Sequence, residues 1–531
     1  MFRKRGAFYF TVVIYLLIVL ILLTVSFLNN DGKVVYALDD PYIHMAVARN
    51  FALSGVWGIN CSRFASCSSS PLYTLILGIS FYIFGVSESI PLIINVLAGA
   101  GALLAAFVIL NRHFVKQKLI FLMLLILLFV SPLFALTFVG MEHTAHLAVA
   151  LLFVYFASRT ISSENRDRKA IIPLLITAPL IMSLRYESVF LLLPACALLF
   201  LRRRFRDGLA VGAAGLAPIL IYGLVSYFKG GNFIPNPVLL KGNTPYFTLW
   251  GAVWWGIQVY NNISSPHVIL LLLAGLSAFL YLSRTESSFW NQKKTALVIF
   301  LVATLFHMVF ASTEWFFRYD AYLVAIGLTF IFAGFSGLLR EGALLSHLFS
   351  GEGRKLDITI SIVILLITLS PLLYRAASLF MIPQATSNIY KQQYQMGLFV
   401  ERYYSGEAVA ANDTGAISFL SHAETVDLWG LGSNPVLRAK KGGYYDTEWI
   451  DDYTDSANVK VAVLYEGWFE NYGGLPAGWD KVCQWTIPHE IVCGEPTVTF
   501  FAVKEDKEEL RKNLAAFSSE LPGQVRVRIC R

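Results

Sequence analysis

The stretch Leu38-Asp39-Asp40-Pro41-Tyr42-Ile43-His44-Met45-Ala46-Val47-Ala48-Arg49-Asn50 decides how the rest of the chain is read. It follows an apolar run at 9–28, about 20 residues and long enough to cross a bilayer. Two adjacent carboxylates beside a span are costly unless they meet water, a cation or a substrate. Asp40 before Pro41 is a helix-start signature, with Asp40 as N-cap and Pro41 in the first helical position. Ile43, Val47 and Phe51 then share one face, His44, Ala48 and Arg49 another, and Gly55 can close the helix. A helix of about four turns should lie on the membrane as an amphipathic element and not cross it. On this reading Asp40 is the cap. Asp39 is the freer carboxylate, able to take a proton from an attacking hydroxyl.

The whole chain supports a membrane setting. Of 531 residues, 56% are hydrophobic and 15% charged, against about 25% charged in soluble proteins; mean hydropathy is +0.60. The formal charge of +7 comes from short basic clusters between apolar runs. That is a positive-inside pattern and not a nucleic-acid surface. The basic 1–5 and the long run after it, with no small-residue cleavage site, predict a retained first span with a cytoplasmic N-terminus. Further apolar runs fall at 90–110, 119–136, 144–160, 170–184, 187–201, 209–228, 266–283, 295–311, 320–339 and 357–377. Together they predict about eleven crossings. The run 71–86 is too short for a full span and would invert the charge pattern, so it is expected to be re-entrant or interfacial.

Basic loops at 112–118, 166–169, 202–206, 284–294 and 340–355 are assigned to the cytoplasm. The acidic loop, Gly140-Met141-Glu142, Arg185-Tyr186-Glu187, the loop 229–265 and 315–320 are then assigned outside. From about residue 380 the composition changes. Helical spacing at 388–404 and short strand-like runs at 408–412, 425–428, 459–464 and 497–503 predict a soluble α/β domain over 380–531, behind a membrane module over 1–379. An odd number of crossings places that domain outside, at a cell (inner or plasma) membrane. Cys61 with Cys67, and Cys483 with Cys493, share outer segments and could form disulfides in an oxidising compartment.

The pattern D-D-P-Y-I-H-x-A-x-A-R-N-x-A-x-x-G at 39–55, followed by Gly58-Ile59-Asn60 and Ser69-Ser70-Pro71-Leu72-Tyr73, resembles the first outer loop of GT-C glycosyltransferases. The nearest group is that of the mycobacterial terminal arabinofuranosyltransferases. Gly140-Met141-Glu142, Arg185-Tyr186-Glu187, Pro235-Asn236 with Lys241, Arg318-Tyr319, Asn412-Asp413-Thr414-Gly415-Ala416 and Asp427-Leu428-Trp429-Gly430 follow in family order. Tyr186 and Pro237 depart from the family's usual proline and threonine.

The resemblance implies inverting transfer of a sugar, arabinofuranose or a hexose such as mannose, from a polyprenyl-phosphate donor. The acceptor would be a glycan, a lipid-linked saccharide or a protein outside the membrane. It also implies that the general base is Asp39 or Asp40, with Asp39 favoured by the cap argument. Arg185, Lys241 and Arg318 are the candidates for the donor phosphate, where negative charge develops. His44, Glu142, Glu187, Asn236 and Asp320 are the candidates for sugar or acceptor contacts.

Each has a plainer reading. Arg185 and Glu187 could simply pair with each other, Arg318 could anchor an aromatic belt, and Lys241 could be a solvated loop residue. Asn412, Asp413 and Asp427 read most simply as turns and strand ends. His44, His143, His146 and Glu142 match no metal-ligand spacing, so no metal ligands are assigned, although a divalent cation stays open. The rival class is a polytopic transporter or lipid-carrier flippase. It would place acids inside spans, often in repeated halves, and no half-repeat is visible.

Overall fold

The computed structural model describes residues 5–114, 116–164, 168–242, 249–263, 265–313, 315–337 and 374–530. Among them, seven helices are long and apolar enough to cross a membrane: Gly6–Asn29, Ser89–His113, Gln117–Val139, His143–Ser162, Phe205–Phe228, Pro266–Thr285 and Gln292–Phe310. Shorter apolar helices run over Pro71–Phe84, Ile171–Leu184, Tyr186–Leu201 and Ala321–Gly334. The architecture is a multi-pass helical membrane bundle carrying a C-terminal α/β region. Most of the run expected at 357–377, and the basic loop at 340–355, lie outside the described residues.

Packing follows the side-chain periodicity. Helix Gly6–Asn29 buries Thr11, Tyr15, Val19, Leu22 and Ser26 along one stripe, the spacing of a single helical face. Its Leu17, Leu20, Ile21 and Leu28 stay exposed, as a lipid-facing surface requires. Tyr15 fits against Gly99, where an added Cβ would meet its hydroxyl at 2.3 Å. That hydroxyl is shared with Thr137 Oγ1 at 2.7 Å. Helix Pro71–Phe84 spans about 21 Å, less than a hydrocarbon core of about 30 Å. It buries Tyr73, Thr74, Leu77, Gly78 and Phe81 and exposes Tyr82, Ile83 and Phe84. Gly78 lets it approach Ala48 and Phe51 of the acidic-loop helix.

Helix Ser378–Ile389, a π-helical turn at Tyr390–Tyr394 and helix Gln395–Tyr404 lead from the bundle into a six-stranded sheet. Its strands are β1 (Ala408–Ala411), β2 (Glu424–Asp427), β3 (Val461–Leu464), β4 (Asp480–Thr486), β5 (Thr497–Ala502) and β6 (Arg526–Ile529), in the order β2-β1-β3-β5-β4-β6. β2, β1 and β3 are parallel and the remaining pairs antiparallel. One face packs Phe399, Trp485, Phe500 and Phe517; the other packs Val436, Ile450, Phe469 and Trp479.

β1, β2, β3 and β5 sit within two residues of their expected positions, while β4 and β6 were not expected. β4 interleaves Asp480, Lys481 and Gln484 with its apolar residues, and β6 is an edge strand guarded by Arg526 and Arg528. All six cysteines are free. Neither expected pair is bonded: Cys493 donates its thiol to Gln393 Oε1 at 3.3 Å.

Candidate active site

The acidic-loop helix covers Asp40–Ser54, with Pro41 in its first turn and Gly55 left-handed at its C-cap (φ 70°). The helix, expected to lie on the membrane as an amphipathic element, is instead buried over 41–48 and at Asn50. It lies between helix Pro71–Phe84 and the C-terminal region, so its polar face meets protein. The expected cap is also displaced by one residue. Asp39 occupies the N-cap position, Asp40 is the first helical residue, and neither side chain caps the helix.

Asp39 points into the C-terminal region. Its carboxylate accepts the N–H of Gly415 at 2.6 Å and of Ala416 at 2.8 Å, the start of helix Gly415–Leu420. Arg49 donates to the carbonyls of Ser418, Phe419 and Ser421 at 3.1, 2.6 and 3.3 Å, at the other end of that helix. An acid thus meets the positive end of a short helix and a guanidinium the negative end. Gly415 is required by the approach: a Cβ there would lie 2.2 Å from the Asp39 carbonyl. Asn60 adds a pair of bonds to Thr425, accepting its N–H at 2.9 Å and donating to its carbonyl at 2.9 Å.

Beside this contact stands a second carboxyl, Asp413, which accepts from Gln393 Nε2 at 2.9 Å. Burial and the neighbouring Asp413 charge push the Asp39 carboxyl well above the ordinary value of 3.8, against the pull of the Ala416 and Gly415 amides. Asp413 is pushed up as well, chiefly by burial.

Asp40 faces the opposite way. It accepts from Lys241 Nζ at 3.2 and 3.3 Å and from Arg318 Nη2 at 2.5 Å. Burial alone would raise its pKa, but the two cations hold the carboxylate well below the usual range. Arg318 lies over the Tyr319 ring, 4.9 Å from its centroid, and its Nε is buried with no hydrogen-bond partner among the described residues. The turn that delivers it has positive φ at Trp315, Phe316 and Phe317 (27°, 52° and 63°). For bulky residues this conformation costs about 1–3 kcal/mol each and persists where surrounding structure enforces it. Here Arg375 Nη2 donates to the Phe317 carbonyl at 2.9 Å.

Asp320 belongs to that support. It accepts from His267 Nε2 at 2.6 Å and Arg375 Nη1 at 2.9 Å, fully buried, and does not line the cavity described next. Asn236 likewise does not line that cavity and donates to Asn434 Oδ1 at 3.0 Å. Arg185 is held between Glu142 (2.6 Å) and Glu187 (2.5 Å). The pairing with Glu187 read as its plainer role is therefore present, with a second acid added. His44 Nδ1 is 2.7 Å from Thr74 Oγ1, and its other nitrogen is 3.8 Å from Glu142.

Asp39, Asp40, His44, Arg185, Glu187, Lys241 and Arg318 all line one cavity of about 880 Å³. Met182, Val189, Phe190, Leu216, Ile219 and Phe310 form its apolar wall. The C-terminal region closes it with Asn412, Asp413, Trp429 and Trp468. Asn412 and Asp413, read from the sequence as turn residues, follow a parallel strand. The carboxyl ends of such strands are where open α/β sheets bind ligands, a signal that could have flagged them. Among the described residues, no group of three or more His, Cys, Asp or Glu side chains is placed to hold a metal ion.

A domain family of unknown function, DUF8728, matches residues 387–501. No curated protein matches the chain. In overall structure it is similar to ArnT from Cupriavidus metallidurans bound to undecaprenyl phosphate, at 13% identity over 93% of this chain and 98% of that one (TM-score 0.48). It is also similar to the Archaeoglobus fulgidus oligosaccharyltransferase in complex with Zn and sulfate, at 11% identity over 96% and 74% (TM-score 0.46). A third similar structure is the arabinofuranosyltransferase AftD from mycobacteria, at 13% identity over 93% of this chain and 40% of that one (TM-score 0.41).

Proposed function

We propose that the protein is an inverting membrane glycosyltransferase that takes its sugar from a polyprenyl-phosphate donor, with Asp40 as general base. The observation that carries this is the Asp40 carboxylate held between Lys241 and Arg318 in a cavity whose far wall is apolar. Such a cavity suits a ligand with an anionic centre and a long hydrocarbon tail. Its volume lies within the range of small-molecule sites.

In the donor the sugar is linked through a phosphodiester. An acceptor hydroxyl attacks the anomeric carbon from the face opposite the phosphate, and the carbon–oxygen bond to phosphate breaks. The hydroxyl proton passes to Asp40, and the second negative charge appears on the departing polyprenyl phosphate. Lys241 and Arg318 stand where that charge develops, which is where fixed cations lower a barrier most. As they turn toward phosphate their hold on Asp40 weakens, so donor binding itself raises the basicity of the carboxylate. Arg185 is already neutralised by Glu142 and Glu187 and serves as a rigid wall beside the sugar.

Asp39 is the weaker candidate for the base, because both of its oxygens are engaged by backbone amides. The charge pattern of the loops supports an extracytoplasmic site. Arabinofuranose and mannose are the sugars to try first. The test is release of polyprenyl phosphate from polyprenyl-phosphoryl arabinofuranose and polyprenyl-phosphoryl mannose by the purified protein in lipid nanodiscs. Release that Asp40→Asn abolishes supports the reading; no release from either donor overturns it.

A further inference from the structure

The rim of the cavity contributed by the C-terminal region carries two indoles that the donor chemistry leaves unused. Trp429 and Trp468 both line the space, their ring centroids 4.6 Å apart at 57°. Each is braced from behind. Asp427 accepts the N–H groups of Trp429 at 2.7 Å and Gly430 at 2.9 Å, and that of Gly432, which fixes the loop. Trp468 lies against Gly494, where a Cβ would sit 2.6 Å from its ring.

Behind Trp429 stands Lys440. Its ammonium is 3.3 Å from the centre of the Trp429 ring, 4.9 Å from that of Tyr445 and 5.0 Å from that of Tyr472. It is buried with no hydrogen-bond partner among the described residues. Burial pushes it down to about 7, with the Asp427 charge opposing. An ammonium withdrawn from water is expensive, and the ring faces, together with the Asp427 charge, compensate it. What the arrangement yields is an indole locked in one orientation at the mouth of the cavity.

We propose that Trp429 and Trp468 are the acceptor-binding platform and that the acceptor is a saccharide. The inference rests on the transferase reading above. The C–H faces of a sugar ring are apolar and stack on fixed aromatic walls, while its hydroxyls need polar partners; Asp413 and Asp40 line the same space. A sugar lying on the two indoles presents a hydroxyl toward the base, and the water it displaces leaves an apolar surface. Lys440 is a positioning residue that holds Trp429 flat.

The experiment uses the full chain in nanodiscs, the donor whose hydrolysis it catalyses, and octyl α-arabinofuranoside and octyl α-mannoside as acceptors. Trp429→Ala and Trp468→Ala should each raise the KM for the accepted glycoside about tenfold while shifting the donor KM less than about threefold. Lys440→Met should raise the glycoside KM, and Lys440→Arg should restore it. An unchanged glycoside KM in both tryptophan variants overturns the platform. So does wild-type protein that hydrolyses the donor but transfers to neither glycoside. A wild-type protein that does not release polyprenyl phosphate at all fails the transferase reading instead.

Discussion

Asp39 and Arg49 grip opposite ends of one short helix, Gly415–Leu420, the acid on its first amides and the guanidinium on its last carbonyls. The acidic loop is therefore positioned from the C-terminal region as much as from the membrane bundle. Asp39→Ala leaves two buried N–H groups unpaired and should cost about 1–3 kcal/mol. A lowered thermal midpoint, with activity lost in proportion to folded protein, is the expected result.

Asp40→Asn should act differently. On the proposed mechanism its carboxylate is the general base, and removing a general base typically costs about 10²–10⁴-fold in rate. Turnover should fall by that factor while the protein still enters the membrane and melts cooperatively. Donor binding should persist, because Lys241 and Arg318 are freed and not removed.

Lys241→Met and Arg318→Met should each weaken donor binding. A charge-assisted hydrogen bond contributes about 1.5–3 kcal/mol, so the donor KM should rise about 10- to 100-fold. Arg318→Lys should not rescue, since a lysine cannot reproduce the guanidinium's simultaneous contacts with Asp40 and Tyr319.

The Asp39–Asp413 pair makes stability depend on pH. Both carboxyls titrate above their ordinary 3.8 in the folded protein. Between that value and the folded pKa the folded state binds more protons than the unfolded one. This part of the stability is complete below about pH 4 and is lost as the pH rises. Asp413→Asn removes the repulsion, so its melting temperature relative to wild type should increase from pH 4 to pH 7. A difference that does not change with pH would refute the coupling. Asp40 runs the other way: its depressed pKa gives stability that is present above 3.8 and lost as the pH falls below it.

Orientation is tested by labelling. In a Cys61→Ser background, Tyr444→Cys should react with an impermeant thiol reagent in intact cells, and Arg284→Cys should not. The reverse pattern would invert the topology.

The residue pattern made several of these features legible. Pro41 and Gly55 bracket the acidic-loop helix as their backbone preferences require, and the charges at 185, 187, 241 and 318 line one cavity. The different partners of the two acids were not legible. The cap argument considered only local backbone, whereas Asp39 is captured by amides far along the chain, and tertiary capture outweighs local capping. The partners that Asp320 and Asn236 meet, Arg375, His267 and Asn434, lie on distant segments and could not be read from local spacing. Asp413 and Trp429 sit in bends of the sheet region and Trp468 in a short 3-10 helix over Glu466–Tyr472, and no local periodicity marks such segments as facing a cavity.

Asp39 and the Gly415 amide it accepts are 376 positions apart in the chain. At roughly 5–20 residues per second the ribosome needs about 20–75 s to pass from one to the other. Asp39 emerges early, and the helix whose amides hold it follows much later. Until residues 415 and 416 are made, the Asp39 carboxylate lacks the two amides that hold it, whereas Lys241 and Arg318, the partners of Asp40, are already present.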